Sequence, residues 1–194
     1  MTGRDPALYG WWLASRASGV VALALVTLSV AAGLVMAGRL SRRPGAARRL
    51  RGMHEQLALV GLALIAVHGL TLLGDHWLHP GLRGIAIPFW MRYRPLATGA
   101  GILAGYLAAA LGLSFYARRR IGARRWRRVH RLTIAVYALG VAHALGAGTD
   151  AAALRAPVLA TTVPIGVLFA RRLARGRRPP APVRRAVAAR EVAR

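Results

Sequence analysis

The chain has 194 residues, of which 56% are hydrophobic, and it carries 29 Arg, no Lys and only 5 acidic residues, a formal net charge of +24. Such a charge is typical of nucleic-acid-binding proteins, but a mean hydropathy of +0.41 argues against that class. The high charge and the high hydropathy are compatible only if charged and apolar residues are separated along the chain, as in a membrane protein. They are separated, and the absence of Cys excludes disulfides, thiolate metal sites and a cysteine nucleophile.

Apolar stretches of membrane-spanning length follow one another along the chain. The first four contain no charged residue, whereas the fifth contains Arg155, Pro157 and Pro164. A bilayer core requires about 20 helical residues, and lipid offers no partner for unpaired backbone groups. The sequence therefore predicts an all-α membrane bundle of five transmembrane helices in one domain, residues 1–170, followed by a basic tail, 171–194, that is disordered or lies on the membrane surface. The predicted spans are residues 17–38, 56–74, 95–117, 132–149 and 151–170.

The arginines indicate the orientation of the bundle. Residues 39–52 hold six Arg, 118–131 hold eight and 171–194 hold nine, and alternating spans place all 23 on one side. By the positive-inside rule, the N-terminus is outside and the C-terminus is cytoplasmic, in a multi-pass protein of the plasma or inner membrane. We expect these basic segments to contact anionic lipid rather than nucleic acid, with docking of an acidic partner as the alternative. An aromatic belt at the outer interface is predicted from Trp11, Trp12, Trp77, Phe89, Trp90 and Tyr93.

Four of the six histidines fall at two matched depths. The step along the chain is fourteen positions from His54 to His68 on the second span, and thirteen from His130 to His143 on the fourth. Fourteen helical positions rise about 21 Å and return to within about 40° of the same face. Both spans run outward, so His54 pairs in depth with His130 near the cytoplasm, and His68 pairs with His143 near the outer face.

The physical hypothesis from this pattern is two bis-His haems, an inner one on His54 and His130 and an outer one on His68 and His143, which together form an electron path across the membrane. Gly61, on the face of His54, is expected to make room for the macrocycle. A step of thirteen leaves an angular offset of about 140° in an ideal helix, so a local bulge, a kink or different approach angles to the two ligands are needed, and Gly140 is a candidate weak point in that helix.

Other interpretations of the polar residues remain open. A single intramembrane His often only bonds neighbouring helices, although four at matched depths favour ligation of haem iron. The pairs are too far apart to share one tetrahedral ion, and His76 and His79 in the outer loop are expected to be solvated. Arg16, at the outer end of the first span, either reaches the interface with its guanidinium or pairs with a carboxylate of the outer haem.

At this point the sequence resembles the ferric reductase-like transmembrane domain, shared by NADPH oxidases, ferric-chelate reductases and the haem subunit of the bacterial methionine sulfoxide reductase system. The resemblance covers roughly residues 13 to 170. It is carried by LASRASGVVAL around Arg16, MHEQL at His54, AVHGL at His68, VHRLT at His130 and VAHAL at His143.

The resemblance implies that the four His are axial ligands of two b-type haems and that Arg16 matches a basic residue near the outer haem. Members of the family move electrons from a cytosolic flavin to an acceptor across the membrane. Nothing after Ala170 contains a GxGxxG fingerprint, so we expect the donor to be a separate flavoprotein or a quinol. The chain is then expected to be the haem-carrying electron-transfer component of an oxidoreductase rather than an enzyme by itself. The alternatives are a quinol-linked cytochrome b subunit and a non-redox membrane anchor.

Overall fold

The structure, a computed structural model, describes residues 6–38, 40, 44–149 and 151–176. This part of the chain consists of α-helices, two 3₁₀ turns (Leu72–Gly74 and His130–Leu132) and short connections. The long helices are α1 (Pro6–Ala37), α2 (Ala46–Thr71), α4 (Pro95–Leu113), α7 (Thr133–Ala147) and α8 (Ala151–Gly176), and the short ones are α3 (Gly81–Ala86), α5 (Arg118–Ile121) and α6 (Ala123–Val129).

Five helical segments are long and apolar enough to cross a membrane, which confirms the predicted fold class. They include the fifth span, whose Pro157 and Pro164 lie inside α8 without ending it. Large apolar side chains such as Leu28, Leu70 and Val163 point out of the bundle, as expected where the surrounding solvent is lipid. The segments are Tyr9–Ala37, Ala46–Gly74, Pro95–Leu113, Ala123–Ala147 and Ala151–Ala174.

The helices are longer than the apolar stretches that predicted them. α1 begins at Pro6, well before Ala17, and α2 begins at Ala46, so that Arg48, Arg49 and Arg51 are helical. Hydropathy reports only the part of a helix that lies in lipid, and Arg has a high helix propensity. α8 likewise continues to Gly176, past the predicted boundary at residue 170, and the rest of the predicted tail, residues 177–194, lies outside the described residues.

The bundle consists of two closely packed helix pairs with α8 beside them. α1 packs on α2 and α4 packs on α7, whereas α2 and α7 do not pack closely on each other. α1 and α2 are antiparallel, since Ser15 contacts His68 and Ser29 contacts His54. Leu34, Tyr137 and Ile165 join α1, α7 and α8 in the apolar core.

The described Arg-rich segments lie together at one end of the bundle, which we call the basic end. It contains the start of α2, the segment 114–131, whose last two residues begin the second 3₁₀ turn, and the end of α8, where Arg172 lies close to Arg131. We call the other end, which contains residues 75–94, the loop end. The common location of the Arg-rich segments agrees with five alternating spans. Which end faces the cytoplasm stays a prediction of the positive-inside rule.

The connection over the loop end, residues 75–94, is folded against the helices. Asp75 Oδ1 accepts hydrogen bonds from the backbone N–H groups of Trp77 and Leu78. At the other end of the connection, Tyr93 and Arg94 donate to backbone carbonyls near the end of α7, with Arg94 Nη1 2.7 Å from the Gly146 oxygen. These contacts fix the connection above the helices that carry the outer two predicted ligands.

Candidate functional site

The four intramembrane histidines meet as two pairs across the gap between α2 and α7. The ring centroids of His54 and His130 are 6.1 Å apart, and those of His68 and His143 are 5.9 Å apart. We call them the basic-end pair and the loop-end pair. The structure thus brings together the same residues that were matched by depth in the sequence.

The separation within each pair can be compared with that of two imidazoles on one iron. With a metal–nitrogen bond of about 2 Å and a ring centre about 1 Å beyond the nitrogen, two axial rings have centroids about 6 Å apart. Both pairs match this value. Each pair supplies two nitrogen ligands, and the described residues contain no group of three or more His, Cys, Asp or Glu placed to hold a metal ion. The donor set therefore fits the two axial positions of a haem better than a tetrahedral site.

The rings on α2 are oriented by serines on α1. His68 Nδ1 lies 2.7 Å from the Ser15 carbonyl oxygen, and His54 Nδ1 lies 2.8 Å from that of Ser29. Each serine hydroxyl also donates to the backbone carbonyl of the same His, at 3.0 Å and 3.3 Å respectively. Because a carbonyl can only accept, Nδ1 carries the proton and Nε2 keeps its lone pair. This is the usual arrangement behind a metal-ligating His.

The two rings of the fourth span are held in different ways. His143 Nδ1 lies 2.9 Å from the carbonyl oxygen of Ala97 on α4. His130 instead stacks on Trp126, with ring centroids 4.7 Å apart and planes at 24°, and its buried Nδ1 makes no hydrogen bond. Three of the four imidazoles are therefore fixed in the tautomer that a metal requires.

The irregular step from His130 to His143 is accommodated by a break in the helix at His130. α6 ends at Val129, and the 3₁₀ turn His130–Leu132 precedes α7. A 3₁₀ turn rotates about 120° per residue instead of about 100°, so the turn reduces the offset from about 140° to about 80°. α7 runs through Gly140, the candidate weak point, without interruption.

The neighbours of Gly61 lie on α1. A Cβ at Gly61 would lie 3.5 Å from Leu25 Cβ and 3.6 Å from Val26 Cγ2, both on α1. The face of α2 that carries His54 and His68 is the face that contacts α1, and Gly61 lies on that face. It allows α1 and α2 to approach closely at this level, and its expected role in making room for a macrocycle stays a prediction.

The remaining polar candidates lie around the loop end. The Arg16 guanidinium lies 4.5 Å from the centre of the Trp12 ring, one residue beyond Ser15 and therefore at the level of the loop-end pair. His76 and His79 are neighbours in the connection, with ring centroids 6.3 Å apart. Neither of these two histidines contacts the loop-end pair in the interactions that the structure describes.

The residues that hold the rings were not predicted from the sequence. Ser15 and Ser29 are separated by the same step as His54 and His68, and each is followed four positions later by a glycine, in SRASG and SVAAG. This repeated S-x-x-x-G spacing on the first span was the available signal. Trp126 carried no comparable signal, since it lies within a basic segment that we interpreted only by its charge.

A family model for the ferric reductase-like transmembrane component matches residues 18–141 of the chain. The match covers more than half of the chain, so the chain belongs to this family, as the sequence resemblance predicted. It includes His54, His68 and His130 and ends just before His143. The family is generally haem-binding, and its transmembrane domain serves electron transfer. No solved structure matches the chain.

Proposed function

We propose that this member of the ferric reductase-like transmembrane family carries electrons across the membrane through two b-type haems, one on His54 and His130 and one on His68 and His143. The observation that carries the proposal is the pair of ring separations, 6.1 Å and 5.9 Å, at two levels about 21 Å apart along α2. A haem held there by two imidazoles would supply one-electron redox chemistry at its iron.

The protein's own residues prepare each site for that ligand. The carbonyls of Ser15, Ser29 and Ala97 accept the Nδ1 protons of three rings, which leaves three Nε2 atoms free to bind a metal. A carbonyl acceptor also raises the basicity of the imidazole and fixes its orientation. Arg16, at the level of the loop-end pair, is the candidate partner for a haem carboxylate.

We place the electron donor at the basic end and the acceptor at the loop end. The Arg-rich segments support this direction, because the positive-inside rule puts them in the cytoplasm, where reduced flavins are formed. The donor is then a separate cytosolic flavoprotein or a membrane quinol. The acceptor meets the protein near residues 75–94, which cover the loop-end pair. The chain is the electron-transfer component of an oxidoreductase in this proposal.

Single His→Ala substitutions test the ligand assignment. Purified wild-type protein is expected to show two low-spin haem signals in electron paramagnetic resonance, because each iron has two imidazole ligands. His54→Ala removes one signal and His68→Ala removes the other, since each variant lacks one ligand of one site. His76→Ala is the matched control, a histidine of the exposed loop, and it is expected to keep both signals.

Two results would contradict the proposal at different levels. If both low-spin signals were unchanged in His68→Ala, the assignment of the loop-end pair would be wrong. Wild-type protein with native helical content but without haem would overturn the proposed function as a whole and favour the alternative of a non-redox membrane protein.

A further inference from the structure

Three of the four imidazoles are held by the same local arrangement on the neighbouring helix. A backbone carbonyl at position i accepts from Nδ1, and the residue at position i+4 is glycine. The arrangement occurs twice on α1 and once on α4. The three carbonyl and glycine pairs are Ser15 with Gly19, Ser29 with Gly33, and Ala97 with Gly101.

The glycine follows from helix geometry. The carbonyl of residue i points toward residue i+4, on the same face and one turn further along the helix. A ring that donates to this carbonyl must therefore lie against residue i+4. A Cβ at Gly19 would lie 2.8 Å from His68 Nδ1, and one at Gly33 would lie 3.4 Å from His54 Cε1, while one at Gly101 would overlap the ring of His143. Only glycine leaves full room for the rings at Gly19 and Gly101.

The corresponding position for His130 is built differently. Leu111 follows Ala97 on α4 by the same step that separates Ser15 from Ser29 on α1; its carbonyl faces the His130 ring, but Nδ1 is not placed to make a hydrogen bond to it. This carbonyl accepts a hydrogen bond of 2.7 Å from the Ser114 hydroxyl. The residue at i+4 is Phe115, beyond the end of α4 at Leu113. Instead of a carbonyl and glycine pair, the side chain of Trp126 contacts His130.

Trp126 is itself held in position. Its Nε1 donates to Ser114 Oγ at 3.1 Å, and its ring packs edge-on against Phe115 at 5.8 Å. The indole is thereby fixed nearly parallel to the His130 ring. Stacking restricts the tilt of an imidazole, but it supplies no acceptor for Nδ1 and does not select a tautomer.

We propose that the carbonyl and glycine pairs on α1 and α4 position three of the four ligands, and that Trp126 positions the fourth, which makes the basic-end haem the more weakly held of the two. This inference rests on the proposed function. It assigns the loop-end site two ligands of fixed tautomer and the basic-end site only one. The named residues are positioning residues, since they act through the ligands.

A graded set of glycine variants tests the arrangement on α1 and α4. Gly19→Ala and Gly101→Ala are expected to abolish the low-spin signal of the loop-end haem and to retain that of the basic-end haem, which also shows that the protein is folded. Gly33→Ala, where the Cβ is less crowded, is expected only to shift the basic-end signal. Gly166→Ala is the control, since a Cβ there meets nothing within 4 Å.

Serine variants test the same arrangement without adding side-chain volume. Ser15→Ala removes a hydroxyl 3.1 Å from His68 Nδ1, and we expect it to shift the signal of the loop-end haem alone. Ser18→Ala is the matched control on the same helix, because the Ser18 hydroxyl bonds to the carbonyls of Ala14 and Ser15 and not to a ring. Unchanged spectra in both Gly19→Ala and Ser15→Ala would overturn the role of α1, as would equal effects on both haems.

Trp126 variants test the weaker site. Removal of a residue that supports a metal ligand costs about tenfold or more in affinity, so Trp126→Leu is expected to speed transfer of the basic-end haem to apomyoglobin by at least about that factor. Trp126→Phe keeps a stacking ring and is expected to stay close to wild type. The basic-end haem is identified as the signal that His54→Ala lacks.

The outcomes separate this inference from the proposed function. Wild-type protein without haem contradicts both. If the wild type holds two haems but the rate of haem transfer is unchanged in Trp126→Leu, only the inference is contradicted. The same holds if Trp126→Phe and Trp126→Leu speed the transfer equally. Faster loss of the loop-end haem than of the basic-end haem from the wild type would also contradict it.

Discussion

Arg16 lies in the part of α1 nearest the loop end, and its surroundings bear on the loop-end site. It follows Ser15, which contacts His68, and its guanidinium lies over the Trp12 ring one turn earlier. The Arg16 side chain is half-buried. A cation over an aromatic ring is held there by the ring quadrupole. Arg16 lies at the level of the loop-end pair, so its positive charge would act on the proposed loop-end haem and hardly on the other.

Arg16→Gln is predicted to lower the reduction potential of the loop-end haem. Reduction adds an electron, so a nearby cation favours the reduced form, and its removal favours the oxidised form. A tenfold change in the equilibrium corresponds to about 59 mV for one electron, and we expect a shift of that order in a potentiometric titration.

The matched control is Arg83→Gln, an arginine of the loop that also lies over an aromatic ring, that of Trp90. It should change each haem potential by only about 10 mV. Equal shifts of both haem potentials in Arg16→Gln would show that Arg16 does not act on the loop-end haem specifically.

At the scale of helices, the contact between α1 and α2 depends on small residues. Ala22, only 3% exposed, lies midway between Ser15 and Ser29, and Gly61 lies midway between His54 and His68. Transmembrane helices associate closely where small residues meet, because van der Waals packing replaces the hydrophobic effect in lipid. The close approach brings the α1 carbonyls within hydrogen-bond distance of both rings.

Gly61→Leu is predicted to destabilise the bundle by about 1–3 kcal/mol, the usual cost of overpacking, and to disturb both haems together. Gly61→Ala is predicted to be nearly neutral, because its Cβ would make ordinary contacts at 3.5 Å and 3.6 Å. Thermal unfolding followed by circular dichroism in detergent, with haem content measured in parallel, checks both.

Gly166→Leu is the control for the added volume, since Gly166 has open space around it. If Gly61→Ala lost one haem with unchanged helix stability, Gly61 would contact the macrocycle after all, and our interpretation of the α1–α2 contact would be wrong.

The helix elements show where sequence reasoning succeeds and where it stops. The spans could be predicted because lipid requires long apolar helices, and the His pairs could be predicted because depth follows from residue number. Hydropathy could not identify the face of α1 that meets α2, since α1 is apolar around most of its circumference; only the repeated S-x-x-x-G spacing marks that face. The break at His130 carries no Gly or Pro signal in the sequence.

At the scale of the whole molecule, two tightly packed helix pairs, α1 with α2 and α4 with α7, face each other across the histidines. Each pair supplies one ligand to each level and also the carbonyl that orients it, apart from His130. α8 closes the bundle beside α1 and α7 through Leu34, Tyr137 and Ile165. The arrangement holds the histidines in place within each pair, and α2 and α7 do not pack closely on each other, which suits the flat cofactor proposed between them.

The orientation of the molecule is predicted to place the basic end in the cytoplasm. The chain has no Cys, so single cysteines report the two ends directly. A thiol at His79→Cys, in the connection over the loop end, is expected to react with a membrane-impermeant maleimide in intact cells, and one at Arg124→Cys only after permeabilisation. Reaction of Arg124→Cys in intact cells without reaction of His79→Cys would reverse the orientation and the proposed direction of electron flow.

The measurement that tests the account most directly is the number of haems per polypeptide in the purified wild-type protein. Two low-spin b-type haems per chain are predicted from the two His pairs, and dithionite is expected to reduce both of them completely. A value of one would contradict the two-site path, and a haem-free protein with native helical content would contradict electron transfer by this chain.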